Sequence, residues 1–294
     1  MIDHPSIISA DALQAKLEEL SSNQKALANK LVIIDTRFAL HDKTWGLTSY
    51  KKSHIPGARF LDLEKDLSSP VAEHGGRHPL PDIDQLTKTF ANLGIHKNET
   101  EVVIYDDNQL GFACRCWWLL RYLGHEEVSI LNGGFSAWVN RGNKPVSDDE
   151  YIAIQPVMGS FTATPNVQMT VNLTMVQKIS ENQSKVLIDS REPLRYLGKK
   201  EPIDPVAGHI PSAINKSWQE ITTMDGFIRP INELRNHWSK LKSNAPIVYC
   251  GSGVTACVNL FSLHLIGKDK AKLYPGSWSD WCSYQENPIA TSGD

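Results

Sequence analysis

The sequence of 294 residues has no apolar run approaching the roughly 20 residues that a membrane-spanning helix needs, so no membrane partner is expected. Nor does it have an excess of basic charge. Thirty Lys and Arg against 33 Asp and Glu leave a formal net charge of -3, which gives no electrostatic reason to expect nucleic acid. Local anion binding survives this argument, because such a site needs only a few well-placed donors. Met1-Ile2-Asp3-His4-Pro5 lacks the basic region and apolar core of a secretory signal. The five cysteines are an odd number with no disulfide-framework spacing, so a reducing cytoplasm is the expected location. Cys114-Arg115-Cys116 has one residue between its thiols and no matching second pair. That supports a tetrahedral metal poorly, and neither a metal nor another cofactor is expected.

What is present is a pattern stated twice. Val32-Ile33-Ile34-Asp35-Thr36-Arg37 returns as Val186-Leu187-Ile188-Asp189-Ser190-Arg191, and Ser53-His54-Ile55-Pro56 as Gly208-His209-Ile210-Pro211. Val102-Val103-Ile104-Tyr105 returns as Pro246-Ile247-Val248-Tyr249. Leu131-Asn132-Gly133-Gly134-Phe135-Ser136-Ala137-Trp138 returns as Tyr274-Pro275-Gly276-Ser277-Trp278-Ser279-Asp280-Trp281. Four matches in the same order imply two copies of one domain, with a period far too long for a solenoid. In each copy, short apolar runs rich in β-branched residues alternate with helical segments that end near Gly124 or Gly267. This predicts an α/β fold, a mainly parallel sheet with helices on both faces, in each copy. The expected domains are 1–143 and 166–294, with residues 144–165 as linker.

The copies differ where chemistry is expected. After Tyr249 comes Cys250-Gly251-Ser252-Gly253-Val254-Thr255; after Tyr105 comes Asp106-Asp107-Asn108-Gln109-Leu110-Gly111. In parallel α/β sheets ligands bind at the carboxyl ends of the strands, and only the second copy places a thiol there. Gly251 and Gly253 permit a tight loop whose N–H groups converge on an anion. A helix starting near Val254 or Thr255 adds its positive end, and both effects favour thiolate over thiol at Cys250. Ser252 and Thr255 add hydroxyl donors. The competing reading is a buried structural cysteine.

The Cys-Gly-Ser-Gly-Val-Thr segment resembles the active-site loop of 3-mercaptopyruvate sulfurtransferases, within the tandem-domain rhodanese superfamily. Asp189-Ser190-Arg191, Gly208-His209-Ile210-Pro211, Leu131 to Phe135 and Trp117-Trp118 carry the resemblance over nearly the whole chain. It implies an inactive first domain and a catalytic second one. It also implies covalent catalysis in which Cys250 takes sulfur from 3-mercaptopyruvate as a persulfide, releasing pyruvate, and passes it to thioredoxin, another thiol or cyanide.

The resemblance assigns Arg195 to the donor carboxylate. The family's second arginine would follow Glu-Pro, but Glu201-Pro202 is followed by Ile203, so this chain lacks it there. It further implies a relay of Ser252, His78 and an acid at Glu64; a polar loop around His78 is the plain alternative. Arg191 is a candidate for the donor or for an ion pair with Asp189 or Glu192. Arg115 is a candidate brace or anion ligand. Three other functions stand beside this one. A phosphatase of the Cys-x5-Arg type would need Arg at 256, where Ala256 stands. A thiosulfate sulfurtransferase and a non-catalytic sulfur-relay module remain.

Overall fold

The structure, a computed structural model, describes residues 4–21, 30–148 and 157–291. The chain divides into two compact units. The first comprises Met1–Leu67, Pro81–Asn166 and Met224–Ile228; the second comprises Ser68–Leu80, Val167–Thr223 and Arg229–Asp294.

The first unit is built on five parallel strands, β1 (Ile7–Ile8), β2 (Leu31–Asp35), β3 (Ala58–Phe60), β4 (Glu101–Tyr105) and β5 (Val128–Leu131), in the order β1-β5-β4-β2-β3. Side chains alternate between the faces of a strand, and here both faces are covered. Leu31, Ile33, Val103 and Tyr105 share a cluster with Leu13, Ile55 and Trp138. Val32, Ile34, Val102 and Ile104, on the other face, are also buried. This explains the unbroken β-branched runs: a strand wet on one side would alternate.

The second unit has four parallel strands, β6 (Leu187–Asp189), β7 (Ile214–Asn215), β8 (Ile247–Tyr249) and β9 (Lys272–Leu273), in the order β7-β6-β8-β9. Its order matches β3-β2-β4-β5 of the first unit, and in place of a fifth strand Thr170 makes an isolated bridge to Leu273 where β1 would pair. The repeat extends to buried polar groups. Asp35 stands opposite Tyr105 and receives Nε and Nη2 of Arg37 and the Tyr105 hydroxyl; Asp189 opposite Tyr249 likewise receives Nε and Nη2 of Arg191. Burial, then the adjacent carboxylate, pushes both tyrosine hydroxyls well above their ordinary range. Each therefore stays protonated and ties two strand ends together.

Two short segments group with the unit of the other sequence repeat. Residues 68–80, between β3 and the helix Ile83–Asn92, group with the second unit. Residues 224–228, between β7 and the helix Ile231–His237, group with the first. Of the expected linker, residues 149–156 lie outside the described ones. Beyond them the chain packs on the first unit, Gly159 N donating to Ala91 O and Thr164 N to Leu123 O, with Phe161 against Phe90. The segment is integral structure rather than a free connector.

Cys114, Cys116, Trp117 and Trp118 are buried on the helix Ala113–Tyr122, as core residues. Among the described residues no group of His, Cys, Asp and Glu is placed to hold a metal, and no helix is long and apolar enough to cross a membrane.

His125 follows Gly124, which closes that helix, and it is fully buried. Asn98 N donates to its Nδ1 at 3.1 Å, and its Nε2 lies 3.2 Å from Glu127 O. Nδ1 therefore has no room for a second proton, and burial lowers the imidazole from 6.5 to about 4. An unfolded chain binds this proton below pH 6.5 while the folded chain refuses it. Stability contributed by neutral His125 is thus intact above 6.5 and lost as pH falls from 6.5 to 4, by up to about 3 kcal/mol. Urea unfolding across this range should show a smaller acid loss for His125→Gln than for the native chain. Equal losses would refute the assignment.

Candidate active site

Cys250 follows β8 directly and is 1% exposed. Its backbone is held on both sides: its N–H donates to Ser277 Oγ at 3.1 Å, and its carbonyl accepts from Trp278 N at 3.0 Å. Gly253 turns the loop with φ 76°, and a Cβ there would strike Pro275 O at 2.3 Å, so glycine is required. The helix begins at Ala256, one residue later than expected. Thr255 caps it with φ -70° and ψ -16°, and Cys257 N donates to Val254 O at 3.0 Å.

What the loop presents is best seen beside its counterpart. In the first unit the Asp106 carboxylate accepts four backbone N–H groups, Oδ1 from Asn108 and Leu110 and Oδ2 from Phe112 and Ala113, at 2.8 to 3.1 Å. Burial pushes this carboxyl up, and the four N–H groups pull against that shift. The loop is an anion nest filled by its own side chain. In the second unit the strand-end residue is the thiol. The N–H groups of Gly251, Ser252, Val254, Thr255 and Ala256 find no acceptor among the described residues. The stretch that encloses the Asp106 carboxylate in the first unit thus has no internal acceptor at the matching place in the second.

A segment from the first sequence repeat completes this site within the second unit. His74 stacks on Tyr284, Gly75 N donates to Asp280 Oδ1 at 2.8 Å, and Arg77 N donates to Ser279 Oγ at 3.1 Å. These anchors bring the buried His78 to Ser252, with Nδ1 and Oγ 2.7 Å apart. Two members of the expected relay therefore meet. Glu64 belongs to the first unit, where it pairs with Lys43 at 2.9 Å.

The arginines sort by their partners. Arg191 is 1% exposed. It gives Nε and Nη2 to Asp189, Nη1 to Glu201 and Nη2 also to Gly208 O, and lies over the Trp278 ring. Asp189, Glu201 and Gly208 O take these donors, which is the ion-pair reading of Arg191. Arg115 is wholly buried in the first unit and donates Nη2 to Leu67 O at 3.3 Å.

Arg195 gives Nε and Nη2 to Glu201 and Nη2 to Asp204, and keeps Nη1 3.8 Å from Glu192. Arg77, absent from the expected set, bonds Asp204 through Nη1. A methyl group placed on Gly251 would lie 2.9 Å from Arg77 Nη2 and 3.6 Å from Arg195 Nη1. Neither nitrogen has a hydrogen-bond acceptor among the described residues. Two donors thus converge beside the thiol loop. Burial and the like charge of Arg195 hold Arg77 below its ordinary value. Arg77 thus stands beside Arg195, although Glu201-Pro202 is followed by Ile203. Its only sequence signal was its place next to His78 in Gly76-Arg77-His78.

The family model described as "Rhodanese-like domain" matches residues 13–141 and again 173–284. The chain is 38% identical over 291 residues to a probable 3-mercaptopyruvate sulfurtransferase of Pseudomonas aeruginosa, covering 97% of this chain and 98% of that protein. It is 36% identical to the thiosulfate sulfurtransferase of Mus musculus, over 79% of this chain and 78% of the relative. The crystal structure of SseA from Escherichia coli superposes with a TM-score of 0.75 at 31% identity, covering 93% of this chain and 99% of that one.

Proposed function

Because the chain belongs to the rhodanese family and is a sulfurtransferase, we propose that it moves sulfur from 3-mercaptopyruvate to a thiol or cyanide through a persulfide on Cys250. In the first half-reaction the Cys250 sulfur attacks the sulfur of the donor. A sulfur–sulfur bond forms and the donor's carbon–sulfur bond breaks. Its electron pair stays on carbon as the enolate of pyruvate, which takes a proton to become pyruvate. In the second half-reaction an acceptor thiolate attacks the outer sulfur and regenerates Cys250. Cyanide would leave as thiocyanate and a protein thiol, such as thioredoxin's, as a persulfide. The open N–H groups of the loop receive the negative charge that resides on the outer sulfur, as an oxyanion hole does for oxygen. Ser252 and His78 form the path for the proton that the enolate needs. Five cysteines, all free thiols, support a reducing cytoplasm as the location.

The observation that carries the choice of donor is the pair of guanidinium groups beside Gly251. Arg77 Nη2 and Arg195 Nη1 suit the two oxygens of a carboxylate. Around them Arg77, Arg191 and Arg195 are matched by Asp189, Glu201 and Asp204. A cluster already balanced in charge favours a monoanionic donor over the thiosulfate dianion. The test is kcat/KM for 3-mercaptopyruvate and for thiosulfate with cyanide as common acceptor, pyruvate release being the readout for the first. The carboxylate donor is expected to lead by at least about tenfold; a clear lead for thiosulfate would overturn this choice.

A further inference from the structure

One buried hydroxyl beside Cys250 has no part in the scheme so far. Ser277 is fully buried and sits at φ 57°, in the left-handed region that favours glycine. Its partner in the other copy is a glycine. Gly134 and Ser277 stand 143 residues apart, as Trp138 and Trp281 do. Gly134 has nearly the same φ, 60°, and a Cβ there would lie 2.2 Å from Asp106 O. Where the strand-end residue is Asp106, the position is glycine. Where it is the thiol, a side chain is present despite the backbone cost, and its hydroxyl is fully engaged. Ser277 Oγ donates to Tyr274 O at 2.9 Å, which turns a lone pair toward Cys250 N at 3.1 Å.

We propose that Ser277 is a positioning residue that fixes the Tyr249–Cys250 peptide, and so the direction in which the sulfur leaves the strand. Its hydroxyl takes the Cys250 N–H while the next residue, Trp278, holds the Cys250 carbonyl. With both flanking peptides tied to residues 277 and 278, sulfur motion is confined to rotation about the Cα–Cβ bond. The N–H groups after Cys250 stay available for the outer sulfur. Without the hydroxyl, the Cys250 N–H is buried without an acceptor and the peptide must rotate to find one. Strain retained at a functional position is the expected mark of such a group.

This inference rests on Cys250 carrying the sulfur, and its test separates the two. Full-length Ser277→Gly removes the hydroxyl and relieves the backbone; Ser277→Ala removes the hydroxyl and keeps the strain. Steady-state kinetics with 3-mercaptopyruvate and cyanide should show kcat reduced about tenfold in both, the effect of one hydrogen bond to a buried donor, with KM within twofold of native. Both variants lose the bond to Cys250 N, and the Gly variant should melt higher than the Ala variant because it alone is relieved of the left-handed backbone cost. A Ser277→Gly protein with native kcat would overturn the inference even if the Ala variant fails to fold. Intact-mass measurement after donor treatment distinguishes the levels. If the native chain gains no sulfur, the sulfur-carrier reading falls and this inference with it; if the native chain and the Gly variant load equally fast, only the role of Ser277 falls.

Discussion

Cys250→Ser is expected to lose sulfur transfer by a factor on the order of 10⁴ or more, and to gain no sulfur on treatment with donor. Serine is the same shape, and both backbone bonds of this residue, to Ser277 and Trp278, are independent of the side chain. The fold should therefore survive, and the loss reports chemistry alone. A hydroxyl is a poor nucleophile toward sulfur and forms no persulfide, so no partial activity is anticipated. Intact-mass spectrometry with and without 3-mercaptopyruvate, beside a pyruvate assay, makes the comparison. Donor-dependent sulfur gain in the serine variant would remove Cys250 from the mechanism. The other four thiols would then have to be considered, among them Cys116, which burial pushes up and away from the reactive thiolate form.

The second large effect is expected at Arg77. Arg77→Met should raise KM for 3-mercaptopyruvate about 10- to 100-fold, the range of one charge-assisted contact, with kcat changed only a few-fold. The variant is informative because Asp204 loses the Arg77 contact on Oδ1 but keeps a second guanidinium on Oδ2. Asp204 keeps Arg195 Nη2 at 3.0 Å, so the buried carboxylate stays paired. Removing Arg195 instead would disturb Glu201 and Asp204 together and mix binding with stability. Arg77→Lys should recover part of the loss, since a point charge attracts a carboxylate but cannot fork onto it. An unchanged KM in Arg77→Met would show that the donor is held elsewhere.

The fold was legible in the sequence because both copies obey the same physical demand. β-branched runs covered on two faces and strand ends sealed by an Asp, Arg and Tyr cluster leave the same letters twice. The thiol was legible as the one place where the copies differ in chemistry. Arg77 was not read as a cation of the site because 174 residues separate it from Gly251, and no periodicity reports contact across that distance. The repeat comparison likewise aligns elements but is blind to which unit a connecting stretch packs on. Residues 68–80 and 224–228, which group with the unit of the other repeat, are such stretches. Ser277 was hidden differently. Serine is an unusual choice for a left-handed residue, and only the glycine at Gly134 hinted at the conformation. The competition for Arg191 between donor and ion pair was undecidable until Glu201 and Gly208 were seen to take its remaining donors.

The carboxylate that plugs the first loop has a bearing on how the second works. The four N–H groups around Asp106 hold their arrangement against a charge that never leaves. The chain can thus shape this cradle from its own folding free energy, with no visiting molecule to mould it. The proposal for Cys250 asks the same of the second loop: N–H groups set in place before sulfur arrives, so that a turnover needs little reorganisation of its surroundings.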